Sequence, residues 1–154
     1  MRLSPLVRRL IPVAAWMGVI FAMSTDRGSA EHSRPLIYTL LHSVAPIVAD
    51  ALSPETIDRI DWNIRKLGHV SEYTLLSALV WRLVRWRDGS FRYRDLFLTL
   101  FITIGYAASD EWHQSFIPSR GAAAEDVVFD AFGAVIGSCL SMARMLVRRT
   151  RGDS

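Results

Sequence analysis

The chain has a single cysteine, Cys139. No disulfide can form within it, so its cysteine usage reveals no redox compartment. Cys139 lies deep in an apolar block and reads as a small packing residue. Internal repeats and low-complexity segments are absent. Nucleophile motifs are absent too: Ser71, Ser109, Ser115 and Ser119 lie near candidate bases, but none sits in a recognisable constellation. His69, His113, Asp110 and Glu111 do not follow a known metal-ligand spacing, so neither a metal nor another cofactor is implied. A length of 154 residues is enough for one domain, 1–154, and too short for two.

What the chain does have is blocks of apolar residues separated by charge. Apolar residues make up 51% of the sequence, a modest share for a membrane protein because the connections are highly charged. Blocking of this kind is the pattern of bilayer insertion rather than of amphipathic folding. The expected fold is all-α, a four-span transmembrane helical bundle with spans at about 6–24, 67–84, 96–114 and 126–147. The first and third cores are short against the ~20 residues a span needs. Flanking arginines can snorkel and extend them. The second and fourth blocks contain His69, Glu72, Asp126 and Asp130, which a hydropathy window penalises. The first block also has the look of a secretory signal, with Arg2, Arg8 and Arg9 ahead of it and Ala22-Met23-Ser24 at its end. The large Trp16 and Met17 within it favour a retained helix.

Charge sets the orientation. The sequence pI of about 9.5 does not point to nucleic acid, because the basic residues flank apolar blocks. The amino terminus, the connection carrying Arg82, Arg85, Arg87, Arg92 and Arg94, and the tail carrying Arg144, Arg148, Arg149 and Arg151 fall on one side of a four-span arrangement. They hold 12 of the 18 basic residues but only three acids, Asp88, Asp95 and Asp153. The positive-inside rule then places both termini in the cytoplasm, and the chain in a bacterial cytoplasmic membrane. The connection from Thr25 to Arg65 falls outside. Leu36, Leu40, Leu41, Val44 and Val48 recur there at helical spacing and predict an amphipathic helix. Ser53-Pro54-Glu55 reads as an N-cap, a first-turn proline and an acidic first turn of a second short helix running into Arg65.

The polar residues gather at the outer ends of the blocks. Lys66, His69 and Tyr73 share one helical stripe, with Glu72 beside His69. Such groups in the outer part of a membrane helix need a polar interior. They serve either as a hydrogen-bond network tying helices together or as direct contacts to a ligand. The third block ends in Asp110, Glu111, His113 and Gln114; Asp110 and Gln114 share a face if the helix continues. After a turn at 117–121, Arg120 sits among carboxylates, as a loop brace to Asp110, Glu111 or Asp126, or as an anion clamp. Asp126 and Asp130 are four apart at the start of the fourth block, and the deeper Asp130 needs a partner or a proton. Gly133 and Gly137 form a small-xxx-small pair that fits packing inside the bundle better than dimerisation.

Taken in order, Lys66, His69 and Tyr73, then Asp110-Glu111 and His113-Gln114, then Phe116, Pro118 and Arg120, then Asp126, Gly133 and Gly137, resemble the VanZ-like family of small bacterial membrane proteins. The likeness covers about 66–137. Ser119 stands where the family often has glycine, and Asp130 where asparagine is common. The resemblance implies a multi-span helical protein of the cell envelope; the family's founding member is associated with resistance to the glycopeptide antibiotic teicoplanin.

Three functions fit these residues. The first is a non-enzymatic envelope factor that binds a membrane lipid, through an anionic headgroup, or a lipid-linked precursor. Lys66 and Arg120 would contact the anion, and His69, Tyr73, Asp110, Gln114 and Asp126 would position it. The second is a membrane-embedded hydrolase or transferase acting on a lipid-linked phosphate, with Asp110 or Glu111 as general base and His69 or His113 as proton shuttle. The third is a purely structural polar lock.

Overall fold

Ser4 starts the first helix. Its side chain accepts a hydrogen bond from the Val7 amide, Pro5 occupies the first turn, and α1 runs Pro5–Met23. This computed structural model describes residues 4–25, 30–85, 91–117 and 124–152. Five more helices follow: α2 (Ala30–Val44), α3 (Pro46–Ala51), α4 (Pro54–Val84), α5 (Tyr93–Gln114) and α6 (Ala124–Gly152). There is no strand among the described residues.

The amphipathic helix expected at 36–48 is two helices. Pro46 cannot donate a backbone hydrogen bond, and its ring drives the residue before it out of the helical region; Ala45 accordingly sits at φ −146° and ψ 70°. The cap at Ser53 is as the sequence predicts, its side chain accepting from the Thr56 amide at 3.3 Å. A separate short helix ending near Arg65 does not form. Nothing between Arg59 and His69 breaks the backbone ladder, Asp61 and Arg65 pair one turn apart at 3.3 Å, and α4 continues for 31 residues. At 1.5 Å per residue that is about 46 Å, longer than the ~30 Å hydrocarbon core of a bilayer.

The seam between α4 and α6 carries the closest backbone approach. A side chain at Gly133 would strike the Val70 carbonyl, and one at Gly137 would strike the Thr74 carbonyl. The glycine pair is therefore spent inside the bundle. Hydroxyls of α4 close the seam: Thr74 donates to the Gly133 carbonyl at 3.1 Å, and Ser77 to the Ala134 carbonyl at 2.7 Å, with Ser138 2.9 Å from the Ser77 hydroxyl. On the other side of α4, Val13 and Ile20 of α1 join Tyr73, Leu76, Val80 and Ala107 in the apolar core. Cys139 is exposed, on the face of α6 away from this packing.

Two helices, Pro5–Met23 and the Glu125–Arg148 stretch of α6, are long and apolar enough to cross a membrane. Helices α4 and α5, the other two expected spans, fall below that hydropathy. The inward stripe of α5 is Asp95, Thr99, Thr103, Ala107, Asp110 and Gln114, whereas Phe97 and Phe101 on the same helix are 69% and 78% exposed. In water that arrangement is inside out. It suits a helix whose outer surface meets an apolar medium.

Candidate functional site

Alternating helix directions bring three helix ends to the middle of α4: the last residues of α1 and α5 and the first turns of α6. Lys66, the chain's only lysine, lies on α4 between the rings of Trp62 and Phe129, its ammonium 5.2 Å from each centroid. It donates to Asp126 and, at 3.1 Å, to Glu125. Lys66 stands just ahead of the apolar stretch of α4. Burial alone would lower its pKa, but the hydrogen bonds to Asp126 and Glu125 outweigh burial and the net shift is upward.

One turn on, His69 lies between two acids of α6. Its Nδ1 is 3.0 Å from Asp130 Oδ1, and its Nε2 is 4.0 Å from Asp126 Oδ2. The four-residue spacing of Asp126 and Asp130 puts both on the face that meets His69, and Asp126 is shared with Lys66. Glu72, half-buried, lies within electrostatic reach of His69. Its backbone carbonyl accepts from Trp16 Nε1 at 2.9 Å and ties α1 to α4.

A second set belongs to α5 and α1. The helix does continue through Gln114, whose Nε2 donates to Asp110 Oδ2 at 2.9 Å; the Ser24 hydroxyl, at the end of α1, donates to the same oxygen at 2.6 Å. Among the described residues, Asp110 Oδ1 is buried with no hydrogen-bond partner. His113 stacks its ring 4.6 Å from that of Phe21, and its Nδ1 is likewise buried with no partner among the described residues. Glu111 is buried beside them.

Tyr73 lies between the two sets. It is fully buried, its hydroxyl has no hydrogen-bond partner among the described residues, and that hydroxyl is within electrostatic reach of both Asp110 and Asp130. Orphaned buried polar atoms are rare in folded proteins, and each asks for a water, a proton or a ligand. Three of them converge on this end of the bundle. Lys66, His69, Asp126 and Asp130 thus form one bonded set, Asp110 and Gln114 another, with Tyr73 between. Arg120 lies outside the described residues.

Some participants were not singled out from the sequence. Ser24 looked like the end of an apolar run, although a small hydroxyl residue at a helix terminus is a recurring way to meet a buried acid. Tyr106, one turn before Asp110, donates to the Met17 carbonyl at 2.6 Å and fastens α5 to α1. Asp61 is 1% exposed, accepts from the Ser33 hydroxyl at 2.5 Å and anchors α2 to α4.

The family model described as VanZ/LLP1 matches residues 10–147. The chain belongs to the VanZ/LLP1 family. That match takes in α2 to α5 whole, most of α1 and α6, and both bonded sets of the cluster. Neither curated proteins nor solved structures give a match. Membership in VanZ/LLP1 and the two apolar helices together point to a membrane protein.

Proposed function

We propose that this VanZ/LLP1 protein spans the bacterial cytoplasmic membrane four times, with both termini in the cytoplasm, and binds a lipid-linked envelope intermediate at the polar cluster on the outer face. The carrying observation is the set of three buried atoms with no partner among the described residues, Tyr73 Oη, Asp110 Oδ1 and His113 Nδ1, at one end of the bundle. A headgroup rich in hydroxyls would donate to Asp110 Oδ1 and accept from Tyr73. The described residues of the cluster hold more carboxylates than cations, which disfavours a bare phosphate. A phosphate joined to a sugar fits better, with Arg120 and Lys66 on the anion. Sequestering such an intermediate would connect the protein to glycopeptide resistance, the phenotype associated with the family's founding member.

The test is binding of a radiolabelled undecaprenyl-linked sugar phosphate to the protein in nanodiscs. Asp110→Asn and Arg120→Ala should each weaken binding at least tenfold, as one lost charge-assisted hydrogen bond implies. Unchanged affinity in both variants would refute the reading.

A second reading is a hydrolase or transferase on the same lipid phosphate. It is favoured by the placing of His69, held through Nδ1 by Asp130 with its other nitrogen towards Asp126, the way an acid orients a general base. Phosphate released by wild type and not by His69→Ala would support it; binding without turnover would rule it out.

A further inference from the structure

The polar cluster is not the only place where charged side chains face open space. A cavity of about 430 Å³ lies between α2, α3 and the start of α4, within the size range of small-ligand sites. Its walls include Pro35, Tyr38, Pro54 and three charged residues, Arg34, Asp50 and Asp58. The break at Ala45 creates it, because the turn into α3 folds Asp50 back towards α2. Asp50 is held there by His42, whose Nε2 is 2.9 Å from Asp50 Oδ1. His42 in turn packs its ring 5.2 Å from that of Tyr38.

The charges are unevenly matched. Arg34 Nε pairs with Asp58 Oδ1 at 3.2 Å. That pair uses Nε, and the terminal nitrogens of the guanidinium remain as a planar fork suited to a carboxylate or phosphate. The cavity wall itself carries two carboxylates against one guanidinium, a formal surplus of one negative charge. A ligand carrying only an anion would satisfy Arg34 and worsen the surplus; one carrying only a cation would leave the fork unused. A small molecule with both satisfies each. Tyr38 offers an aromatic face for the cationic end.

We infer that this cavity binds a small zwitterion, with its primary ammonium between Asp50 and Asp58 and its anionic group on Arg34. The chemistry is shared by the ethanolamine-phosphate headgroup of a lipid and by a free amino acid. No residue of the polar cluster takes part, so this site stands or falls separately from the function proposed above.

Equilibrium dialysis of the detergent-solubilised protein against radiolabelled glycerophosphoethanolamine and against alanine tests the assignment. At least one should bind saturably, and at least tenfold more tightly than ethanolamine or inorganic phosphate alone. Tighter binding of the first assigns the site to a lipid headgroup, tighter binding of the second to an amino acid. Arg34→Gln and Asp50→Asn should each lower affinity at least tenfold, with helical circular dichroism unchanged; Tyr38→Ala serves if either variant misfolds. Absence of saturable binding by both zwitterions overturns the proposal. So does wild-type affinity in the well-folded variants.

Discussion

Asp130 and Asp110 are almost equally buried, at 2% and 4% exposure, yet they are served differently. Asp130, on α6, faces the imidazole of His69 and belongs to a set in which acids and bases meet. Among the described residues Asp110, on α5, receives the neutral donors Ser24 and Gln114 on one oxygen and no donor on the other. A buried carboxylate needs a partner, so the two halves of the site do different work. In the α4–α6 half the acids meet cations or an imidazole. The α5–α1 half keeps a buried acceptor oxygen with no donor among the described residues.

The largest expected effect comes from the α4–α6 seam. Gly137→Leu would drive a side chain into the Thr74 carbonyl, and the seam should lose about 3 kcal/mol or more. Denaturant unfolding in detergent measures this, and near-wild-type stability would mean that the close approach of α4 and α6 is not needed. Lys66→Met comes next. It strips Asp126 and Glu125 of their shared cation, and should cost about 3 kcal/mol, the loss expected when one partner of a buried pair is removed. A negligible cost would erase the distinction between the two halves from the α4–α6 side.

Asp110→Asn sharpens it from the other side. An amide of the same shape can still accept from Ser24 and Gln114, so stability should change by no more than about 1 kcal/mol while lipid-intermediate binding falls at least tenfold. A loss of stability as large as that of Lys66→Met would give Asp110 the same structural role as Lys66. Alkali supplies a milder probe. The pKa of Lys66 is raised in the fold, so its contribution is fully present below the ordinary lysine value of 10.5 and disappears as pH climbs through the higher folded value. The stability gap between wild type and Lys66→Met should therefore hold from pH 8 to about 10 and narrow above it. A gap that closes near neutral pH would contradict the pairing. Smallest of all, Cys139→Ser on the exposed face of α6 should leave stability within about 0.5 kcal/mol.

Much of this was legible in the sequence. Helix ends were marked by Ser53-Pro54 and by the basic flanks, the register of Asp126 with Asp130 predicted a shared face, and Gly133 with Gly137 predicted close packing. The missed features depend on geometry that spacing does not carry. Whether Pro46 breaks a helix or merely starts one is decided by the residue before it. Cys139 sits in an apolar block, but α6 is apolar on both its packed and its outward faces, so hydropathy could not assign it a side. The partnership of Ser24 with Asp110 spans 86 residues, and only the folded chain brings them together. The middle of the α5 stripe was hidden for a related reason: Thr99 and Thr103 read as neutral in a hydropathy profile, so only its ends, Asp95, Asp110 and Gln114, stood out.

Those threonines have a consequence for how the bundle is put together. Thr99 gives its hydroxyl hydrogen to the Asp95 carbonyl, and Thr103 gives its own to the Thr99 carbonyl, both within α5. The middle of the helix therefore carries its hydroxyl bonds with it and asks nothing of its neighbours. It can enter a bilayer alone at little penalty and find its partners afterwards. What fixes its final rotation then lies towards the two ends, Asp95 against Arg85 at one, and Tyr106 on the Met17 carbonyl with Asp110 against Ser24 at the other. Asp110, on which the proposed binding rests, would thus also help tell α5 which way to face.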